Sequence, residues 1–265
     1  LRGFHTPEKK QTLPELFRQS SLLQKKIPAA QEQELALLAI NTWIHGIDPF
    51  SHVSLPESEE SSVKVYELTR DTDDRAILKI NTFVSRDLCS NLQPILRDLE
   101  KDSSINSLVI DLRGNLGGYL ESALCMADMF LPPDMLLVTL ERTDIKWPFK
   151  VEESWLWQPK LSEVLGLNHR ERRSQTPPVF TKSLEIWVDQ KSASSSEVFT
   201  ASLQDHQRAL VKGHQSFGKS TAQLPMKISG LGQVSAFLTV YRWVRPSSSK
   251  TAQFVGILPD VSSNL

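Results

Sequence analysis

A serine at position 194, at the start of a helix, and a lysine 25 residues beyond it are the groups whose types and spacing offer covalent chemistry. Ser194 lies in the run Lys191-Ser192-Ala193-Ser194-Ser195-Ser196-Glu197, after Leu184-Glu185-Ile186-Trp187-Val188-Asp189, which reads as a short apolar strand. Val198, Phe199, Ala201 and Leu203 then carry a helix. A serine at a helix start has backbone amides without intrahelical acceptors beside it and a dipole that favours developing negative charge. The same S-x-x-E order is also an ordinary capping box, and on helix signals alone the cap is the stronger reading. The lysine shifts the balance, because Gly218-Lys219 follows a loop and precedes Ser220-Thr221-Ala222-Gln223. The gap accommodates a helix, a strand and a return towards the serine. An ammonium group cannot accept the serine proton, so such a lysine must be neutral, and burial in an apolar pocket is the usual means. The ordinary state of a lysine is a solvated surface charge.

The elements that must position these groups alternate. Residues 76–80, 107–111 and 135–140 read as strands and residues 85–100 and 119–130 as helices, which predicts an α/β core with right-handed crossovers. The strand at 107–111 runs into Asp111-Leu112-Arg113-Gly114-Asn115-Leu116-Gly117-Gly118, a glycine-rich strand-to-helix loop. It is a poor phosphate cradle, having neither G-x-G-x-x-G order nor a following Lys-Ser or Lys-Thr. Upstream, residues 13–24 and Ala29–His45 show helical spacing, with Leu35, Leu38, Trp43 and Ile44 prominent in the second and Gly46 closing it. Residues 54–62 are an acidic, serine-rich linker, and a strand at 63–68 follows. Residues 147–182 form an insertion with Trp147, Trp155 and Trp157 among prolines 148, 159, 177 and 178; a lid and a satellite core fit it equally. Its basic cluster, His169 to Arg173, reads as a solvated loop. Past Gln223, strands at 224–228 and 233–244 make a hairpin around Ser229-Gly230-Leu231-Gly232.

The chain has 265 residues, 40% of them hydrophobic, and a formal net charge of −1, enough for one large domain or two small ones. No basic stripe or interleaved aromatic patch points to nucleic acid. No apolar run reaches the length of a membrane span, and residues 1–10 have no signal-like core. Cys89 and Cys125 fall in predicted helices without metal-ligand spacing; buried free thiols are the expectation, with a single disulfide between them as the alternative.

The residues resemble the carboxyl-terminal processing proteases, or tail-specific proteases, which use a serine and lysine dyad. S-A-S-x-S-E at 192–197, F-G-K at 217–219 with Gln223, Gln204-Asp205 with Arg208-Ala209 and Gly213, D-L-R-x-N-x-G-G at 111–118, Asp48-Pro49-Phe50-Ser51 and Gly256-Ile257-Leu258-Pro259-Asp260 carry the resemblance. It covers most of residues 29–260. It implies a crotonase/ClpP-like α/β core of β-α-β units at 63–265, an amino-terminal helical region at 1–53 and a hairpin-rich carboxyl-terminal part. It implies Ser194 as nucleophile, Lys219 as general base, Gln223 as the partner that orients the amine, and the amides of Gly118 and Ser195 as an oxyanion hole. Losing one such donor typically removes about 3 kcal/mol of transition-state stabilisation.

The family usually inserts a PDZ domain, a peptide-tail-binding module, where this chain has the linker at 54–62, so tail tethering is not carried over. The resemblance implies protein or peptide substrates cut near their carboxyl termini or in unfolded segments, no cofactor or metal, room for an activating or adaptor protein and for a homo-oligomer, and an extracytoplasmic, periplasmic compartment. Two other classes are distinguishable. A silent binding or scaffold module on the same core would cleave nothing, and an acyl-thioester enzyme of the crotonase type would bind coenzyme A near Gly117 and Gly118. A triad using His206 is disfavoured, because His206 follows Asp205 at the far end of the nucleophile's helix.

Overall fold

The computed structural model describes residues 29–55, 64–71, 74–142, 145–150, 178–228, 234–247 and 251–263. The expected helix at 13–24, most of the linker and most of the 147–182 insertion lie outside the described residues. The chain divides into two compact units, one of Leu1–Glu57 with Pro225–Leu238 and one of Ser58–Leu224 with Thr239–Leu265.

In the first unit, helix α1 (Ala29–His45) leads through Gly46 to strand β1 (His52–Ser54). Leu37, Ile40 and Ile44 lie three or four residues apart and therefore on one helix face, which packs on Val53, Val234 and Ala236. The Asn41 side chain clasps both backbone groups of Val53, donating to its carbonyl at 2.9 Å and accepting its amide at 2.7 Å.

The second unit is built on a six-stranded sheet. Its members are β2 (Tyr66–Arg70), β3 (Arg75–Ile80), β4 (Ser107–Asp111), β7 (Ser183–Val188), β8 (Leu210–Gly213) and β11 (Val261–Ser262), in spatial order β11-β8-β7-β4-β3-β2. All neighbours are parallel except β2, which runs antiparallel to β3. Strand β2 begins later than the expected 63–68, because its ladder starts at Tyr66 opposite Ile80 and closes at Arg70 opposite Ala76. Parallel neighbours need crossovers, and helices supply them. Helix α2 (Leu88–Lys101) joins β3 to β4, and α4 (Ser195–Asp205) joins β7 to β8. Helix α3 (Leu120–Asp128) follows β4 and packs on both other helices. The remaining strands are β5 (Leu136–Arg142), β6 (Ile145–Lys150), β9 (Thr221–Lys227) and β10 (Ser235–Val244). The end of β10 pairs with β5, and its beginning with β1.

Alternation decides which sheet face is covered. Ala76, Leu78 and Ile80 of β3 and Leu184, Ile186 and Val188 of β7 are buried, whereas Arg75, Lys79, Glu185 and Trp187 between them are half-exposed. The buried face meets Leu88, Leu92 and Leu96 of α2 and Val198 and Phe199 of α4 in one core. Phe199 is fully buried and packs its ring against Phe83 and Phe130, with centroids 6.2 and 6.0 Å away. Phe199→Ala would remove about 3–5 kcal/mol and loosen the helix that Ser194 begins.

Two expectations are corrected. Helix α2 starts at Leu88 rather than 85, because Ser85 is held in the preceding loop, donating its amide to the Phe83 carbonyl at 2.9 Å and accepting the Ser122 hydroxyl at 2.8 Å. Cys89 and Cys125 are not free thiols: packing of α2 against α3 brings their Cα atoms to 6.3 Å and they form a disulfide.

Candidate active site

Parallel strands deliver their following loops to one end of the sheet, where ligands of open α/β sheets bind. Strand β4 delivers the glycine loop, residues 112–118, and the adjacent β7 delivers residues 189–194. These two loops are stitched together. The hydroxyl of Ser192 donates to the Leu112 carbonyl at 2.8 Å, that of Ser196 to the Asn115 carbonyl at 3.0 Å and that of Ser195 to the Gly118 carbonyl at 2.8 Å. The Ala193 amide adds a further bond to the Asn115 carbonyl at 3.0 Å. Asn115, itself fully buried, spans the gap to β3, giving its side-chain amide to the Ile80 carbonyl and accepting the Gly117 amide, both at 2.8 Å. Of the four serines in the run, Ser194 alone gives its hydroxyl to no carbonyl of the glycine loop.

Ser194 is the N-cap of α4 and is half-buried, with φ 56° and ψ −115°. A residue with a side chain in this sparsely populated region stores about 1–3 kcal/mol of backbone strain, the kind of feature found at functional turns between a strand and a helix. The glycine at 117 is what allows the loops to approach. A Cβ there would stand 2.7 Å from the Ala193 carbonyl oxygen and 2.9 Å from the Ser194 Cβ. Gly118, at φ 147°, is equally constrained, since its Cβ would meet the Phe83 carbonyl carbon at 2.4 Å.

The two expected oxyanion donors are on adjoining segments. The bridge between Phe83 and Gly118 uses the Gly117 carbonyl and the Tyr119 amide, which keeps the Gly118 amide out of the ladder. Ser195 is the first residue of α4, whose amide has no intrahelical acceptor. Its side-chain bond to the Gly118 carbonyl ties the two donor residues to each other.

Glu197 has a larger part than the capping box suggests. It is buried, and its Oε2 accepts the amides of Ser194 at 2.9 Å and Lys219 at 2.8 Å, while Oε1 accepts the Gly218 amide at 2.7 Å and the Ser216 hydroxyl at 2.5 Å. One carboxylate oxygen therefore holds the backbones of the expected nucleophile and the expected base together. Burial pushes the Glu197 carboxyl above its ordinary value, and the bonds from Ser216, Lys219, Gly218 and Ser194 pull in the opposite direction without offsetting it.

Lys219 is half-buried on a loop fixed at several further points. The buried Trp243 donates its indole N–H to the Lys219 carbonyl at 3.1 Å, the Phe217 amide goes to the Ser192 carbonyl at 3.0 Å, and Gln253 accepts the Ser220 amide at 2.7 Å. Gln223 lies on β9 and donates its side-chain nitrogen to the hydroxyls of Thr221 at 3.0 Å and Thr239 at 2.9 Å. Any bond it makes to the Lys219 amine must therefore use its carbonyl oxygen. His206 stands at the carboxyl end of α4, its Nε2 2.7 Å from the Leu136 carbonyl, away from the loop that carries Ser194.

The arrangement puts the Ser194 hydroxyl in a strained turn beside the two segments expected to donate amides, and locks the backbone of Lys219 to that of Ser194 through Glu197. Sequence reasoning names Ser194, Lys219, Gln223, Gly118 and Ser195 as candidates and passes over Asn115, Gln253 and the wider role of Glu197. The only available signal for Glu197 was its place three residues after Ser194.

Residues 74–263 match the model of peptidase family S41, more than half of the chain. A carboxy-terminal-processing protease of Bartonella bacilliformis is 31% identical over 176 residues, which are 65% of this chain and 35% of that protein. The chloroplastic carboxyl-terminal-processing peptidase 3 of Arabidopsis thaliana is 30% identical over 186 residues, 69% of this chain and 30% of its own. The chain thus spans about a third of the length of the curated relatives it matches. Among solved structures, the photosystem II D1 C-terminal processing protease superposes with a TM-score of 0.56 at 20% identity, covering 77% of this chain and 49% of that one.

Proposed function

We propose, since the chain belongs to peptidase family S41, that it is a serine-type endopeptidase acting through Ser194 and Lys219. Neutral Lys219 takes the Ser194 hydroxyl proton as the oxygen attacks a peptide carbonyl carbon. The amides of Gly118 and Ser195 receive the charge that builds on the carbonyl oxygen. As the intermediate collapses the C–N bond breaks, Lys219 returns the proton to the departing amine, and an ester remains on Ser194. Water then attacks that ester with Lys219 again as base, releasing the acid and restoring the serine. Gln223 acts as the orienting partner of the amine through its carbonyl oxygen.

The observation that carries this reading is the division of labour among the serines. Ser192, Ser195 and Ser196 fasten the glycine loop, and Ser194, strained and at the helix start, shares the Glu197 carboxylate with the base. Substrates are proteins or peptides, cut near their carboxyl termini as the names of the carboxyl-terminal-processing relatives suggest, or in unfolded segments. The Cys89–Cys125 disulfide supports an oxidising, extracytoplasmic location.

The test is cleavage of casein and of apolar-tailed peptides by the 265-residue chain beside Ser194→Ala and Lys219→Ala. Both variants should lose at least about 1,000-fold in kcat. Equal turnover in all three would overturn the dyad.

A further inference from the structure

We infer that Asp189, the residue directly after β7, is a positioning residue for the oxyanion hole, an inference that rests on the peptidase reading above. Its Oδ1 accepts the Gly114 amide at 3.0 Å, the Lys191 amide at 2.9 Å and the Ser192 amide at 3.0 Å, and lies 3.2 Å from the Ser192 hydroxyl, whose proton goes to the Leu112 carbonyl. In return the Ser192 hydroxyl oxygen accepts the Asp189 amide at 3.0 Å. One carboxylate oxygen therefore joins the start of the glycine loop to the start of the nucleophile loop.

Gly114 itself is exposed at φ 80°, and a Cβ built on it would find nothing within 4 Å, so the Asp189 carboxylate rather than packing holds this residue, while Leu112 just before it is held by the Ser192 hydroxyl. The loop's later residues are gripped by Asn115, by Phe83 and by the serine hydroxyls. Gly114 lies four residues before the amide that would meet the oxyanion, on the segment that Asp189 ties to the nucleophile loop. Burial would raise the Asp189 carboxyl, but the bonds from Gly114, Lys191 and Ser192 outweigh it and hold the group below its ordinary value, so it is an anion at neutral pH. A charged acceptor makes bonds about twice as strong as a neutral one. Asp189 and Glu197 thus divide the work: Glu197 fixes serine to lysine, and Asp189 fixes the serine loop to the amide donors.

The experiment compares Asp189→Ala and Asp189→Asn with the unmodified chain, using kcat and KM per active site, the sites being counted by exhaustive fluorophosphonate labelling. The Ki of a peptide aldehyde, whose adduct with serine places an oxyanion in the hole, is read alongside. Asp189→Ala should lower kcat per labelled site about 30-fold, less than outright removal of a donor, with KM within about twofold, and should raise the aldehyde Ki by a similar factor. Asp189→Asn keeps an acceptor oxygen but not its charge, and should lose about three- to tenfold in both readouts. A merely structural role would reduce the labelled fraction or the melting temperature and leave kcat per labelled site and the aldehyde Ki unchanged; that result overturns the inference. Should Asp189→Ala fail to fold, a wild-type kcat and Ki in Asp189→Asn overturns it equally. Absence of labelling at Ser194 in the unmodified chain would strike the peptidase reading instead, so the two failures are distinguishable.

Discussion

Replacing Glu197 by glutamine tests the carboxylate that joins serine to lysine while changing little of the side chain's volume. Four donors converge on its two oxygens, at 2.9 and 2.8 Å on Oε2 and at 2.5 and 2.7 Å on Oε1. A carboxamide has one acceptor oxygen, so one pair of donors must face an NH2 group. If that group turns towards Ser216 and Gly218, the hydroxyl can rotate but the Gly218 amide is left buried without a partner. An orphaned buried donor costs about 1–3 kcal/mol, and loss of the anion weakens the surviving bonds by about 1 kcal/mol more. The expected destabilisation is about 2–4 kcal/mol, or about 5–15 °C in Tm for a domain of this size. Activity should fall further than stability implies, because a shift of about 1 Å between Ser194 and Lys219 lowers the rate on the order of 100-fold. Thermal melts and kcat per labelled site, both read well below Tm, provide the assay. A Tm within about 1 °C of the unmodified chain together with an unchanged kcat would refute the role given to Glu197.

Gly117→Ala should nearly abolish turnover while leaving the fold intact at low temperature, since the new Cβ at 2.9 Å from the Ser194 Cβ pushes on Ser194 itself; kcat and circular dichroism on one sample check this. Breaking the Cys89–Cys125 disulfide, by paired serine substitutions, should lower unfolding free energy by about 3–4 kcal/mol, the loop-entropy value for cysteines 36 residues apart, measurable by denaturant titration. Because burial raises the Glu197 carboxyl above its ordinary value, kcat should fall on the acidic side as the hub takes up a proton and loses its charge. The same acidic limb should be missing in Glu197→Gln, and a pH profile of both proteins decides it.

Much of the scaffold was legible because it follows from periodicity. Helix Ala29–His45 and strand Ser107–Asp111 match their apolar spacing, and the glycine loop announced itself by three glycines between a strand and a helix. Ser194 and Lys219 were legible through the resemblance of their flanking residues, and less so through their chemistry. What could not be read arises from packing between distant segments. Glu197 reaches Ser216, Gly218 and Lys219 roughly 20 residues away, and three-residue helical spacing explains only its bond to Ser194. A run of serines reads as a loop, and their roles separate only when the carbonyls of Leu112, Asn115 and Gly118 stand opposite them. The disulfide stood only as the alternative to free thiols for the same reason: two cysteines on separate helices carry no spacing signal until α2 and α3 pack.

Reaction of the chain with a fluorophosphonate at several pH values, with the modified residue mapped by mass spectrometry, bears most directly on the dyad. Modification should fall on Ser194 alone at every pH and be slowed at least about 1,000-fold in Lys219→Ala. Labelling of a different serine, or labelling of Ser194 at an undiminished rate without the lysine, would contradict it.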